Sequence, residues 1–394
     1  MNRRRFIQLS ALGSAHLCCL PDLLAADIPV VSARLSVRTD RTGNKIADEF
    51  AGLSYESAQL GNPEFFSGEN GDLAGFFRRL GTNCVLRIGG NTSEYSYWRP
   101  DLDGGINATD RNSTKNPNGG STGTGTAVGP DTGLKVPPRV NITPLAIRNL
   151  RDFLDVTGWK LIYGLNMGTG TPDAAAAEAA YVHDVVGSKI IALQLCNEPD
   201  LFYHNGIRGP GYNFEQFASE WEHFFQVIRS RVPTAPFAGP DTAFNNDWMI
   251  PFARRFKSDI RFVSQHYYAE GPPADPSMTL GRLLRPNPKL QEEFEGMKRV
   301  TQESGVPFRL AETNSCYSAG KPGVSDTFAS ALWGGDLMYQ LASAGSMGIN
   351  FHGGGTVGTA RSQARARTDL SRGQFIMRFS CSLKQGPANS SNAH

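Results

Sequence analysis

The chain lacks an excess of either charge: 39 lysines and arginines stand against 37 aspartates and glutamates over 394 residues, a formal net charge of +2. That balance argues against a nucleic-acid surface built on net positive charge. Cysteine is scarce, with six in all. Cys18 and Cys19 lie close to the N-terminus and Cys381 close to the C-terminus. Cys84, Cys196 and Cys316 sit in apolar, strand-like runs that suit small buried thiols, so no disulfide framework is expected. No CxxC or HExxH spacing occurs, and no metal centre is expected. No apolar run is long enough for a comfortable membrane span, and no period of 20–50 residues repeats. What is plentiful is glycine (43) and proline (24), which fits a loop-rich enzyme better than a helical bundle.

The charge is unevenly spread. Residues 1–26 carry Arg3, Arg4 and Arg5 against Asp22, and residues 356–394 carry six basic groups against Asp369. The stretch between them is therefore mildly acidic. Met1–Ala26 reads as an export signal: Arg-Arg-x-Phe-Ile is the twin-arginine pattern, and an apolar stretch follows it to Ala26. A periplasmic or secreted mature protein is expected. Ala33-Arg34-Leu35-Ser36-Val37 then alternates like a half-buried strand, and residues 27–48 are expected to belong to a β-domain.

From there, short apolar runs alternate with amphipathic ones. Expected strands are Phe50–Tyr55, Asn83–Ile88, Lys160–Leu165, Ile190–Leu195, Phe237–Gly239, Arg261–His266, Phe308–Ala311 and Gly348–Phe351. Expected helices are Gly71–Leu80, Leu145–Thr157, Ala174–Val186, Phe214–Val232, Asp247–Phe256, Lys289–Gly305 and Asp326–Ala344. Eight strands in βα alternation, apolar on both faces, predict a parallel (β/α)8 TIM barrel over residues 49–355. Asp101–Val140, rich in glycine, asparagine and threonine, interrupts the pattern as a long loop after the second strand. It either borders a substrate cleft or is a mobile insertion.

Two strands deliver a carboxylate directly. One is Leu195-Cys196-Asn197-Glu198-Pro199, where proline ends the pairing. The other is Phe308-Arg309-Leu310-Ala311-Glu312-Thr313-Asn314. A lone glutamate at a strand end is ordinarily a salt-bridge or capping partner. Two, on the fourth and seventh strands of one closed barrel, fit glycoside hydrolysis, which needs a proton donor and a nucleophile flanking the glycosidic bond.

In combination, four motifs resemble glycoside hydrolase family 79, the heparanase-like β-glucuronidases. They are Leu86-Arg87-Ile88-Gly89-Gly90-Asn91, Gln194-Leu195-Cys196-Asn197-Glu198-Pro199-Asp200, Ser264-Gln265-His266-Tyr267-Tyr268 and Leu310-Ala311-Glu312-Thr313-Asn314-Ser315. The resemblance covers roughly residues 30–355. It implies a retaining double displacement on β-glucuronides, exo-acting and without metal or cofactor, with Glu198 as acid/base and Glu312 as nucleophile. It further implies that Asn197 bonds the sugar 2-hydroxyl and that Tyr268 holds the nucleophile ionised. Tyr317, Ser318 and Ala319 would read the substrate carboxylate, and Glu56 and Asn91 its hydroxyls. The family commonly has glycine where Ala319 stands. His266 is expected to support rather than catalyse, and Arg87 to be an ion-pair partner near the nucleophile. The acid/base role requires a site that raises the Glu198 pKa. An endo-acting glucuronidase, an arabinofuranosidase of the same clan, and an inactive truncated glycan-binding product are the alternatives.

The tail departs from that family. Thr356–His394 is basic, and no tyrosine occurs after Tyr339, although the family has one after its eighth strand. Read in the neighbouring frame, Gln374–Gly386 allows the string V-Y-Y-A-F-L-L-F-A-E-T-G, which looks like the family's eighth helix. A frameshift is therefore expected in the coding sequence, leaving a barrel without its last helix. The bland alternative is a disordered basic terminus.

Overall fold

The computed structural model describes residues 43–102 and 139–353, with isolated positions between 34 and 41 and the backbone of 127–128 and 135–136. The chain divides into two compact units, Met1–Gly43 and Asn44–His394, and the description below concerns the second. The signal segment, the strand near Leu35, most of the Asp101–Val140 loop and the 356–394 tail lie outside the described residues.

Eight parallel strands close into a barrel. They are β1 (Ala51–Glu56), β2 (Val85–Gly89), β3 (Lys160–Gly164), β4 (Ile190–Gln194), β5 (Phe237–Thr242), β6 (Ile260–Glu270), β7 (Phe308–Cys316) and β8 (Gly348–His352). Each pairs with its neighbours in sequence order, and β1 closes on β8. Between them run α1 (Gly71–Leu80), α2 (Pro144–Thr157), α3 (Pro172–Val186), α4 (Phe214–Arg231), α5 (Asn246–Phe256), α6 (Pro288–Ser304) and α7 (Phe328–Ser343). This is the (β/α)8 architecture expected from the alternation of runs. Among the described residues no helix is long and apolar enough to cross a membrane.

Local chemistry marks where the helices begin. Thr143, Thr171 and Asn287 each cap a helix whose first residue is proline, a position where a missing N–H costs nothing. Asn213 and Gln216 form a reciprocal capping box on α4. Outward strand residues and the inner helix faces make one continuous core, with Trp221 of α4 packed 4.4 Å from Phe256 and 5.0 Å from Phe252 of α5.

The barrel interior follows from the period of two. Val85, Ala192 and Phe262 belong to a small apolar plug at the lower end. Two residues further along the same strands come Arg87, Gln194 and Ser264, all buried. The plug therefore gives way to a polar layer one step below the C-terminal face, where (β/α)8 sites form.

Three strands, β5, β6 and β7, run further than their apolar cores suggested. β6 and β7 pair on to Glu270 and Cys316, with a register shift between Gln265 and His266 that leaves Ala311 unpaired and sets His266 opposite Glu312. Such a bulge re-aims side chains. Glu312 consequently stands inside a long strand, not just after a short one.

Candidate active site

Arg87 on β2 organises the polar layer. All five of its N–H donors are engaged. Nε donates to Gln194 Oε1 at 2.8 Å. Nη1 donates to Ser54 Oγ at 2.9 Å and Glu312 Oε2 at 2.7 Å. Nη2 donates to Asn197 Oδ1 at 2.9 Å and Asp241 Oδ2 at 2.5 Å. Gln194 Nε2 in turn donates to Asp241 Oδ1 at 2.6 Å and Ser264 Oγ at 2.9 Å. One guanidinium on β2 thus fixes groups from β1, β5 and β7 and from β4 with the loop that leaves it.

Glu312 receives a second strong hydrogen bond from the Tyr268 hydroxyl, at 2.6 Å, and its Oε2 lies 3.4 Å from His352 Nδ1. Burial opposes its ionisation. The positive charges of His352, His266 and Arg87, together with the Tyr268 hydroxyl, more than offset that and hold the carboxyl well below the usual range. Burial, reinforced by the Glu312 charge, keeps Tyr268 well above an ordinary phenol and so a donor.

Glu198 sits in a different setting. Its backbone is left-handed, at φ 50° and ψ 54°, and its N–H donates to the Asp241 carbonyl at 2.9 Å. Its Oε1 lies 2.9 Å from His266 Nδ1, and His266 Nε2 lies 3.2 Å from Asp241 Oδ2. Burial lowers the His266 pKa, but Asp241 and Glu312 dominate and push it up to about 10. The buried ring is therefore an imidazolium that clamps Glu198 on one side and Asp241 on the other. One ligand-type atom each from Glu198, His266 and Glu312 all lie within 4.8 Å of one another. These three are a poor metal site. Both ring nitrogens of His266 face carboxylates and carry protons, and Glu312 is already paired with Arg87, so an ion would have to displace a strongly held proton.

The remaining sequence-identified residues are partly gathered here. Asn197 spans Arg87 and Asn91, donating from Nδ2 to Asn91 Oδ1 at 3.2 Å. Glu56 accepts from the Thr92 N–H at 2.9 Å and the Thr92 hydroxyl at 2.7 Å, and its Oε1 lies 3.5 Å from His352 Nε2. Gly90 has φ 72°, and a Cβ there would fall 2.5 Å from the Glu56 carboxylate, so the turn after β2 requires glycine. The exposed Tyr317 ring stands at 89° to Tyr268 with centroids 6.3 Å apart. Ser318, Ala319 and Gly320 follow at φ 56°, 69° and 81°. Ala319 bears the steric cost of a left-handed L-residue. Ala319→Gly is expected to stabilise the protein by about 0.5–1 kcal/mol. Urea unfolding checks this, and no gain or a loss contradicts it.

Sequence reading gave no role to Ser54, Asp241 or His352. Ser54 and His352 share the inward parity of Arg87 in register, whereas Asp241 is brought inward by a left-handed irregularity in β5 (φ 64°) that the period of two does not reveal. His352 is held above its ordinary value: burial works the other way, but Glu312 and Glu56 outweigh it.

Several buried carboxyls are raised by desolvation: Asp200 to about 6, Glu178 to about 7, and Glu94 and Glu293 to about 8. Each keeps its proton in the fold after the unfolded chain has lost it, so stability falls as pH rises through those values. His266 acts in the same direction between its unfolded value and about 10. Glu312 and Asp241, both lowered, contribute stability that is lost only on strong acidification. Tm is therefore expected to peak at roughly pH 4–6 and decline toward pH 9. Calorimetry across that range checks it, and a Tm that rises to pH 8 contradicts it.

No family model matches the chain. A protein named beta-glucuronidase from Neurospora crassa is 24% identical over 371 residues, spanning 84% of this chain and 62% of its own length. Another of the same name, from Aspergillus niger, is 26% identical over 332 residues, spanning 78% and 57%. The chain thus spans about 60% of the length of these curated relatives. Among solved structures, a 4-O-α-L-rhamnosyl-β-D-glucuronidase from Fusarium oxysporum superposes with a TM-score of 0.61 at 14% identity, covering 85% of this chain and 70% of its own. A family 51 α-L-arabinofuranosidase from Bifidobacterium longum gives 0.52 at 14% identity, covering 80% and 69%. These structural likenesses support the barrel fold.

Proposed function

We propose that this chain is a glycoside hydrolase of the family-79 type that cleaves β-glucuronides by a retaining, exo-acting double displacement. The observation that carries the reading is the pair Glu198 and Glu312, with one carboxylate oxygen of each within 4.8 Å of the other. Retention uses carboxyl groups about 5–5.5 Å apart, whereas inversion needs roughly 6.5–9.5 Å for an intervening water.

In the first step the Glu312 carboxylate attacks the anomeric carbon while protonated Glu198 gives its proton to the departing glycosidic oxygen. The carbon–oxygen bond to the aglycone breaks and a glycosyl ester on Glu312 forms. In the second step the Glu198 carboxylate takes a proton from water, the water oxygen attacks the same carbon, and Glu312 leaves as carboxylate. Arg87 and Tyr268 hold Glu312 in the attacking form. Asn197, fixed by Arg87 and Asn91, is offered to the sugar 2-hydroxyl, with Glu56 and Asn91 on neighbouring hydroxyls. A Tyr317 phenol beside the Ser318–Ala319 backbone suits a carboxylate, and the names of the two curated relatives support glucuronic acid as the sugar. Because the two carboxyls carry both steps, EDTA is expected to leave the rate unchanged. A loss restored by one divalent ion contradicts that.

The defining assay compares nitrophenyl β-glucuronide, β-glucoside and α-arabinofuranoside. Hydrolysis of the glucuronide alone supports the reading. Preference for another sugar moves the chain to a neighbouring specificity, and no turnover supports the inactive glycan-binding alternative. Export through residues 1–26 belongs to the same proposal. Its test is whether lysine replacement of Arg3–Arg5 retains the protein in the cytoplasm of an expressing bacterium.

A further inference from the structure

We propose that Glu94 is a positioning residue for the proton donor, holding the backbone that presents Glu198. The inference rests on the glycosidase reading above. Glu94 is 1% exposed and lies on the short turn Asn91–Tyr95 that follows β2. Its Oε1 accepts the Asn197 N–H at 2.6 Å, and its Oε2 accepts the Gly168 N–H at 2.5 Å. The Ser93 hydroxyl is 3.3 Å from Oε1. One side chain therefore ties together the loops leaving β2, β3 and β4, the last carrying Asn197 and Glu198.

Three features point to positioning and not to filler. First, the left-handed backbone of Glu198 costs free energy and persists only where its surroundings over-determine it. The two peptides leading into it are both pinned, Asn197 N–H by Glu94 and Glu198 N–H by the Asp241 carbonyl. Second, the partner loop is itself anchored: Arg208 donates to the Gly168 and Met167 carbonyls at 2.6 and 3.3 Å and pairs with Glu220 at 2.9 Å. Glu94 thus connects Asn197 to a braced segment. Third, a buried carboxylate is a costly way to fill space, and burial pushes Glu94 up to about 8 in spite of its two backbone donors. A small shift of Asn197 would move Glu198 off the leaving-group oxygen, and misplacement of about 1 Å costs on the order of 10²-fold in rate.

The test exploits the leaving group. An alkyl alcohol must be protonated to depart, whereas a dinitrophenolate departs without help, so only the alkyl glycoside depends fully on general acid catalysis. Full-length wild type and Glu94→Gln are assayed for kcat/KM on methyl β-glucuronide and 2,4-dinitrophenyl β-glucuronide. The ratio of the two values is independent of how much of a preparation is folded. Gly168→Ala is the companion variant. It leaves the Glu94 side chain in place but sets a methyl 2.6 Å from Glu94 Oε2, displacing the carboxyl group. Both variants are expected to lose about 10²-fold on the methyl glycoside and less than about 10-fold on the dinitrophenyl glycoside. Equal proportional losses on the two substrates overturn the proposal, because a merely structural role lowers both alike. A wild type that turns over neither substrate removes the glycosidase reading and this inference with it, an outcome distinct from proportional loss in an active enzyme.

Discussion

Glu312→Ala is expected to lower kcat/KM on an aryl β-glucuronide by roughly 10⁴-fold or more, since the proposed mechanism assigns the covalent intermediate to Glu312. Azide makes the test specific. In Glu312→Ala, azide occupies the vacated space and attacks from the nucleophile's face, so the product is the α-glucuronyl azide. In Glu198→Ala the glycosyl ester still forms from an activated aryl substrate, and azide then attacks the opposite face to give the β-azide. Opposite anomers from the two variants assign the two roles. The same anomer from both contradicts the assignment. The variant should remain folded, because Arg87 keeps Asp241, Gln194, Asn197 and Ser54 as partners when Glu312 is gone.

Arg87→Met is expected to act first on stability. The guanidinium is 1% exposed and is the shared cation of Asp241 and Glu312. Replacing a buried pair by apolar groups is often harmless, but removing one partner leaves charge uncompensated in the interior, at a cost of about 3–5 kcal/mol. For a chain of this size that is a fall in Tm of roughly 4–6 °C. With Arg87 gone, one of the charges that hold the Glu312 carboxyl low is lost, so the acid limb of any remaining activity should move to higher pH. The Tm and pH–rate profile of the purified variant check both parts. A Tm within about 2 °C of wild type contradicts the central place given to this side chain.

Much of the fold was legible because it rests on local rules. Apolar runs such as Ile190–Gln194 and Val85–Gly89 became strands at nearly the expected residues, and α2, α3 and α6 begin at Pro144, Pro172 and Pro288, within two residues of the expected Leu145, Ala174 and Lys289. The ends of β6 and β7 were harder. The expected strand Arg261–His266 stops short of Tyr268, yet the strand continues to Glu270 because the pairing with β7 persists past the bulge. A register shift is a relation between two segments, and neither segment reveals it alone.

The site divides in the same way. Glu198 and Glu312 stood out because each follows an apolar run directly. Asp241 did not, since its importance lies in meeting Arg87 and His266, which are far away in sequence. Glu94 was still less visible, being a glutamate in a polar turn whose partners are the N–H groups of Asn197 and Gly168. Backbone donors have no signature in side-chain sequence.

The central claim is that Glu312 forms a covalent bond with a glucuronyl group. Incubation with 2-deoxy-2-fluoro-β-glucuronyl fluoride, followed by peptide mass spectrometry, tests it most directly. The fluorine at C2 slows both steps and the fluoride leaving group rescues the first, so the ester accumulates. The account predicts time-dependent inactivation with one fluoroglucuronyl adduct, on the peptide containing Glu312. An adduct on a different carboxylate, or an enzyme that hydrolyses glucuronides yet carries no adduct, would contradict it.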